Sequence, residues 1–87
     1  MTTATKPPAL TDRAAAMLRA VAAGRADITV SVEPDLYVDG IPCCDQSTAH
    51  ELAHTGLVTA AHRAPPGTRV RAELTEAGRE ALAGRGL

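Results

Sequence analysis

Val58-Thr-Ala-Ala-His-Arg-Ala-Pro-Pro-Gly-Thr-Arg-Val-Arg-Ala-Glu-Leu74 decides the fold. Two β-forming runs, 58–63 and 68–74, flank Ala64-Pro-Pro-Gly67, a loop tip whose prolines break helix and ladder alike. The pattern predicts strand, turn, strand. Immediately upstream, Asp45 can cap a helix over 46–55, with Ser47 and Thr48 as competing caps. Ala49, Leu52 and Ala53 supply its apolar side, and Gly56 stands where a left-handed terminating residue belongs. Downstream, Thr75 caps a last short helix with Glu76 in its first turn. Ala77, Ala81 and Leu82 are available there for packing, and Gly84-Arg-Gly ends it.

Working toward the N-terminus, 28–42 reads as a β-hairpin or small meander. Ile28, Val30 and Val32 alternate with Thr29 and Ser31, the period of a half-buried strand. Glu33-Pro34-Asp35 is a turn, Leu36-Tyr37-Val38 a second short strand, and Asp39-Gly40 a strong turn signal. Pro42 closes the unit. Ahead of it, Thr11 caps a first helix in which Ala14, Met17, Leu18 and Val21 follow helical spacing and face the core. Gly24 stops that helix. Met1–Ala9, rich in Thr and Pro, reads as a disordered tail, and 10–87 as one domain. The expected fold class is α+β, with three helices and two β-hairpins.

At 87 residues, folding buries only about 60–65% of the surface of the unfolded chain, so stability is thin. Tyr37 is the only Phe, Tyr or Trp, which leaves a core of Leu, Val, Ile and Ala. A homodimer is a natural way to bury more. No apolar run approaches membrane-spanning length, so no membrane partner is expected. The first nine residues lack the apolar region of a secretory signal, and the expected location is cytoplasmic. Cys43 and Cys44 are adjacent; a bridge between neighbours is strained, so two free thiols are expected.

The net charge is −1, but the charges are segregated. Asp27, Glu33, Asp35, Asp39, Asp45 and Glu51 occupy 26–51 without a Lys or Arg, whereas Arg63, Arg69 and Arg71 occupy 60–72 without an acid. Such a dipolar surface can steer a partner or pair with a second copy. Alternatively, both stretches are simply solvated faces.

Residues 47–83 resemble the back half of winged-helix transcription regulators of the MarR or PadR type. Two segments carry the resemblance: His50-Glu-Leu-Ala-His-Thr-Gly-Leu-Val58 and Leu74-Thr-Glu-Ala-Gly-Arg-Glu-Ala-Leu82. It implies a small winged-helix-like domain that binds double-stranded DNA as a transcriptional regulator or accessory factor. The helix 46–55 would then enter the major groove, and the wing 58–74 would touch the backbone. By the same resemblance, Gln46, Ser47 and His50 are candidate base readers, and Arg63, Arg69 and Arg71 candidate phosphate contacts. The chain departs from the pattern in two ways. A strand-rich acidic segment stands where the supporting helix belongs, and helix 46–55 carries no Lys or Arg. Three phosphate contacts give a salt slope of about −3 in log–log terms, which is weak binding for a monomer.

His50-Glu-Leu-Ala-His54 is also a literal His-Glu-x-x-His, whose histidines on a helix can share zinc with Glu51 as general base. The third ligand and the glycine of the extended motif are missing, Leu57 standing in the glycine's place. Cys43, Cys44, His50 and His54 supply zinc-type donors at a spacing that matches no finger pattern. The expectation is therefore no enzyme, no metal and no cofactor. Two other readings stay beside DNA binding. One is a protein-interaction or dimerisation module, with a protein partner on the acidic hairpin 27–45. The other is a zinc or thiol sensor at Cys43 and Cys44.

Overall fold

The computed structural model describes residues 10–84. The expected tail over 1–9 lies outside the described residues, as does the end of the chain beyond Gly84. Eight elements follow in order: α1 (Asp12–Ala22), β1 (Ala26–Thr29), β2 (Leu36–Val38), β3 (Ile41–Pro42), α2 (Gln46–His54), β4 (Val58–Ala60), β5 (Arg69–Leu74) and α3 (Glu76–Ala83). The strands form one antiparallel sheet in the order β3-β2-β1-β5-β4. The domain is thus a small α+β unit with three helices and a five-stranded sheet, compatible with the winged-helix-like class.

Local chemistry sets the helix ends. The Thr11 side chain accepts from Ala14 N–H at 3.0 Å, Asp45 Oδ1 from Thr48 N–H at 3.0 Å, and Thr75 Oγ1 from Gly78 N–H at 3.0 Å. Each satisfies an N–H that the helix itself leaves unpaired. α2 ends in a Schellman pair, Leu57 N–H to Leu52 O and Gly56 N–H to Ala53 O. Asp39 and Gly40, at φ 54° and 81°, join β2 to β3 in the double left-handed conformation of a type I′ hairpin turn.

One face of the sheet is buried. Ala26 and Ile28 of β1, Leu36 of β2, Val58 of β4 and Val70 and Ala72 of β5 pack against Ala14, Met17, Leu18 and Val21 of α1 and Ala49 and Leu52 of α2. Leu18 and Leu36 are the largest fully buried side chains, each contributing about 2 kcal/mol from burial. The alternate residues Asp27, Thr29, Tyr37, Thr59, Arg69, Arg71 and Glu73 line the opposite face.

Some expectations shift. The first strand covers 26–29 rather than reaching Val32, which is 89% exposed. Val30 still exchanges backbone bonds with Thr68 and Gly67, but beyond it Glu33 N–H bonds Ser31 Oγ at 3.1 Å and Asp35 N–H bonds Thr29 Oγ1 at 2.8 Å, so local side-chain bonds shape the segment 31–35. β4 stops at Ala60, and Ala61 N–H still reaches Arg71 O. Ala77, expected to pack, is exposed, and Gly78 is the buried residue of α3.

Gly78 explains the two segments of the winged-helix resemblance. A Cβ there would lie 2.0 Å from Leu57 O. Thr75 N–H bonds Leu57 O at 3.1 Å, and Thr75 Oγ1 bonds Gly56 O at 2.5 Å. The Gly-Leu-Val and Leu-Thr-Glu-Ala-Gly segments are therefore the two sides of one joint, which seats α3 against the exit of α2.

Candidate functional site

The expected nucleic-acid site divides between two parts of the molecule. On α2, the Gln46 carboxamide is fully engaged: Oε1 accepts from Leu36 N–H at 2.9 Å, and Nε2 donates to Leu36 O at 3.0 Å and Cys43 O at 2.8 Å. It acts as a surrogate strand for β2, beyond the point where the two-residue β3 ends. His50 Nε2 meets Asp35 Oδ1 at 3.0 Å, and His54 Nε2 donates to Val32 O at 2.9 Å. Both rings thus pin the loop 31–35 to α2. Of the three candidate base readers, Ser47 alone is exposed, and it shares the outer side of α2 with Glu51.

The imidazole directions also bear on the His-Glu-x-x-His motif. Each ring bonds the 31–35 loop at Nε2. Among the described residues no group of three or more His, Cys, Asp and Glu side chains is placed to hold a metal ion. Cys43 and Cys44 are both free thiols, the first half-buried and the second exposed. Burial pushes the Cys43 thiol up, and the negative charges of Cys44 and Asp45 add to that. It is correspondingly a poor nucleophile.

At the start of α2, the Asp45 carboxylate is held at about 2, chiefly by the Thr48 hydroxyl at 2.6 Å and the Thr48 N–H, with Arg13 Nη1 at 3.1 Å assisting. Arg13 and Asp45 thereby tie α1 to α2 across their solvent side.

Arg69 and Arg71 lie elsewhere. They alternate with buried Val70 and Ala72 along β5, so both project from the sheet face opposite the helices. Register places Asp27 directly across from Arg71 and Tyr37 across from Asp27. The Asp27 carboxylate lies between the two guanidinium groups, with Oδ2 3.7 Å from Arg69 Nε and Oδ1 3.7 Å from Arg71 Nε. The Arg69 guanidinium also sits 4.5 Å from the centroid of the Tyr37 ring, a cation–π contact. These separations are ion-pair contacts, too long for hydrogen bonds. Neither guanidinium makes a hydrogen bond among the described residues, and Arg71 Nη1 lies close to Gly24. The cluster carries one acid and two bases and is about half exposed: 46% for the Arg69 side chain, 58% for Arg71 and 35% for Asp27.

Arg63 is exposed on the connection between β4 and β5, beside His62, whose Nδ1 meets Arg63 O at 3.0 Å. The structure thus brings Arg69 and Arg71 together and separates them, by the thickness of the sheet, from Gln46, Ser47 and His50. Sequence reasoning missed Tyr37 and Asp27 as members of the arginine cluster. The signal for their shared face was the alternation in β1, β2 and β5; their adjacency needed the strand register. A shallow, open groove lined by Val21, Ala22, Glu73, Leu74 and Arg79 lies at the end of β5, away from α2. No helix among the described residues is long and apolar enough to cross a membrane.

No protein-family model matches the chain, and no curated protein or solved structure matches it significantly.

Proposed function

We propose that this protein is a non-catalytic binding module whose working surface is the open face of the sheet, and that its partner is a protein presenting carboxylates. The observation that carries this reading is the Tyr37–Arg69–Asp27–Arg71 cluster, in which two guanidinium groups make no hydrogen bond among the described residues. Guanidinium groups of this kind accept carboxylates in bidentate geometry. Tyr and Arg are also the residue types that most often dominate interfaces. The two free thiols support a cytoplasmic site of action.

A second reading, DNA binding by a winged-helix-like regulator, is supported by the ribbon β4–β5 following α2, with exposed Arg63 on its connection. It is weakened by the internal engagement of Gln46 and His50 and by the acid Glu51 on the outer side of α2. DNA affinity comes mainly from neutralised phosphates, and α2 offers none of the charge required.

Nuclear magnetic resonance titration separates the two. Hexaglutamate peptide at low salt is expected to shift the Arg69 and Arg71 Nε–H signals and the amides of β1 and β5. A mixed-sequence DNA duplex is expected to leave α2 unshifted. Shifts on α2 and at Arg63 with the duplex, and none on β5 with the peptide, would reverse the order of the two readings.

A further inference from the structure

Building on the sheet-face reading, we infer that the occupant of this face is a second copy of the chain, whose 31–35 loop lies across Tyr37, Arg69 and Arg71 of the first. Both halves of the contact are present in the one molecule. Val32 at the loop tip is 89% exposed, the greater of two exposed large hydrophobic side chains among the described residues. Next to it, Glu33 is exposed and has no ion-pair partner among the described residues. An apolar tip beside a carboxylate complements an aromatic ring beside two guanidinium groups.

The loop is ordered in advance. Asp35 N–H bonds Thr29 Oγ1, Glu33 N–H bonds Ser31 Oγ, His50 meets Asp35, and His54 holds Val32 O. Docking it therefore costs little additional conformational entropy. The same two histidines tie the loop to α2, on the helical side of the sheet, so it cannot fold over its own arginines. Only a loop from another molecule can do so.

Register also favours a closed pair over a filament. The loop begins one residue beyond the Thr29–Arg69 pair, after Val30 has bonded Thr68 and Gly67. Loop and face thus border one another at the same end of the sheet. A two-fold axis near that border lays each loop on the face of its partner, so that both contacts form at once. A contact of this size sits at the small, salt-sensitive end of protein interfaces.

Sedimentation velocity of the full chain tests the inference. A dimer is expected at low salt, with its dissociation constant raised at least tenfold at high salt. Glu33→Arg is expected to be monomeric, as is the double substitution Arg69→Glu/Arg71→Glu, while Val32→Ser, which removes the apolar tip without adding charge, weakens the dimer at least tenfold. An equimolar mixture of the Glu33→Arg chain and the doubly substituted chain is expected to re-form a heterodimer, because one of its two contacts is the native one and the other has both charges reversed. Loss of folding cannot produce that rescue. A wild-type chain that stays monomeric at every salt and concentration overturns the inference, as does a dimer indifferent to these substitutions or a mixture that remains monomeric. A monomer that still shows the hexaglutamate shifts removes only the dimer; a monomer without them removes the sheet-face reading as well.

Discussion

α2 and β5 carry the two halves of the surface that the sequence suggests for nucleic acid, and their polar groups have opposite fates. Gln46 on α2 makes three hydrogen bonds to backbone atoms of β2 and the segment after β3. His50 and His54 each bond the 31–35 loop. On β5, Arg69 and Arg71 have an acid beneath them and, for Arg69, a ring beside it, yet no hydrogen bond among the described residues. The difference teaches that a polar residue on an exposed element is not thereby available. Availability depends on whether its donors and acceptors already have partners.

The largest expected effect comes from the joint beneath α2, which the contrast presupposes. Gly78→Ala places a Cβ against the Leu57 carbonyl and is expected to cost about 3 kcal/mol, because backbone rather than a flexible side chain must yield. Urea unfolding measures this. A variant as stable as the parent would mean that α3 is not seated on Leu57.

Gln46 and the arginine pair test the contrast directly. Gln46→Ala leaves the Leu36 N–H without its partner and is expected to cost about 2 kcal/mol. Arg69→Ala/Arg71→Ala is expected to change stability by less than about 1 kcal/mol, since solvent screens both ion pairs. Equal losses in thermal or urea unfolding would erase the distinction between structural and available polar groups.

The smallest effect sharpens the account of α2 itself. Asp45 has its carboxyl lowered from 3.8 to about 2 in the folded chain. The stabilisation it provides is therefore complete above about pH 4 and is lost as pH falls toward 2. Asp45→Asn is expected to flatten that part of the stability–pH curve, read as urea midpoints at stepped pH. An unchanged acid limb would show that the cap charge contributes nothing.

Much of the architecture is legible in the sequence because its determinants are local. Thr11, Asp45 and Thr75 announce their helices by capping chemistry, and Asp39-Gly40 announces its turn by backbone conformation. The Pro-Pro-Gly tip and the alternation in 69–74 locate the ribbon. Less of the candidate site is legible, because its determinants are non-local. The alternation Arg69-Val70-Arg71 places both arginines on one face, but only the pairing of β1 with β5 brings Asp27 between them. Gln46 looks like a surface residue until β2 is folded against it. Val32 continues an alternating pattern that ends early, because Thr29 and Ser31 bond the following turn instead.

The outermost strands have a consequence of their own. β3 is only two residues long and contains Pro42, and β4 is only three residues long. Neither margin offers a run of free amides and carbonyls on which a foreign strand can grow. Concentrated solutions of the folded chain should therefore resist fibril formation, and seeding with fibrils of unrelated sequences should find no template here.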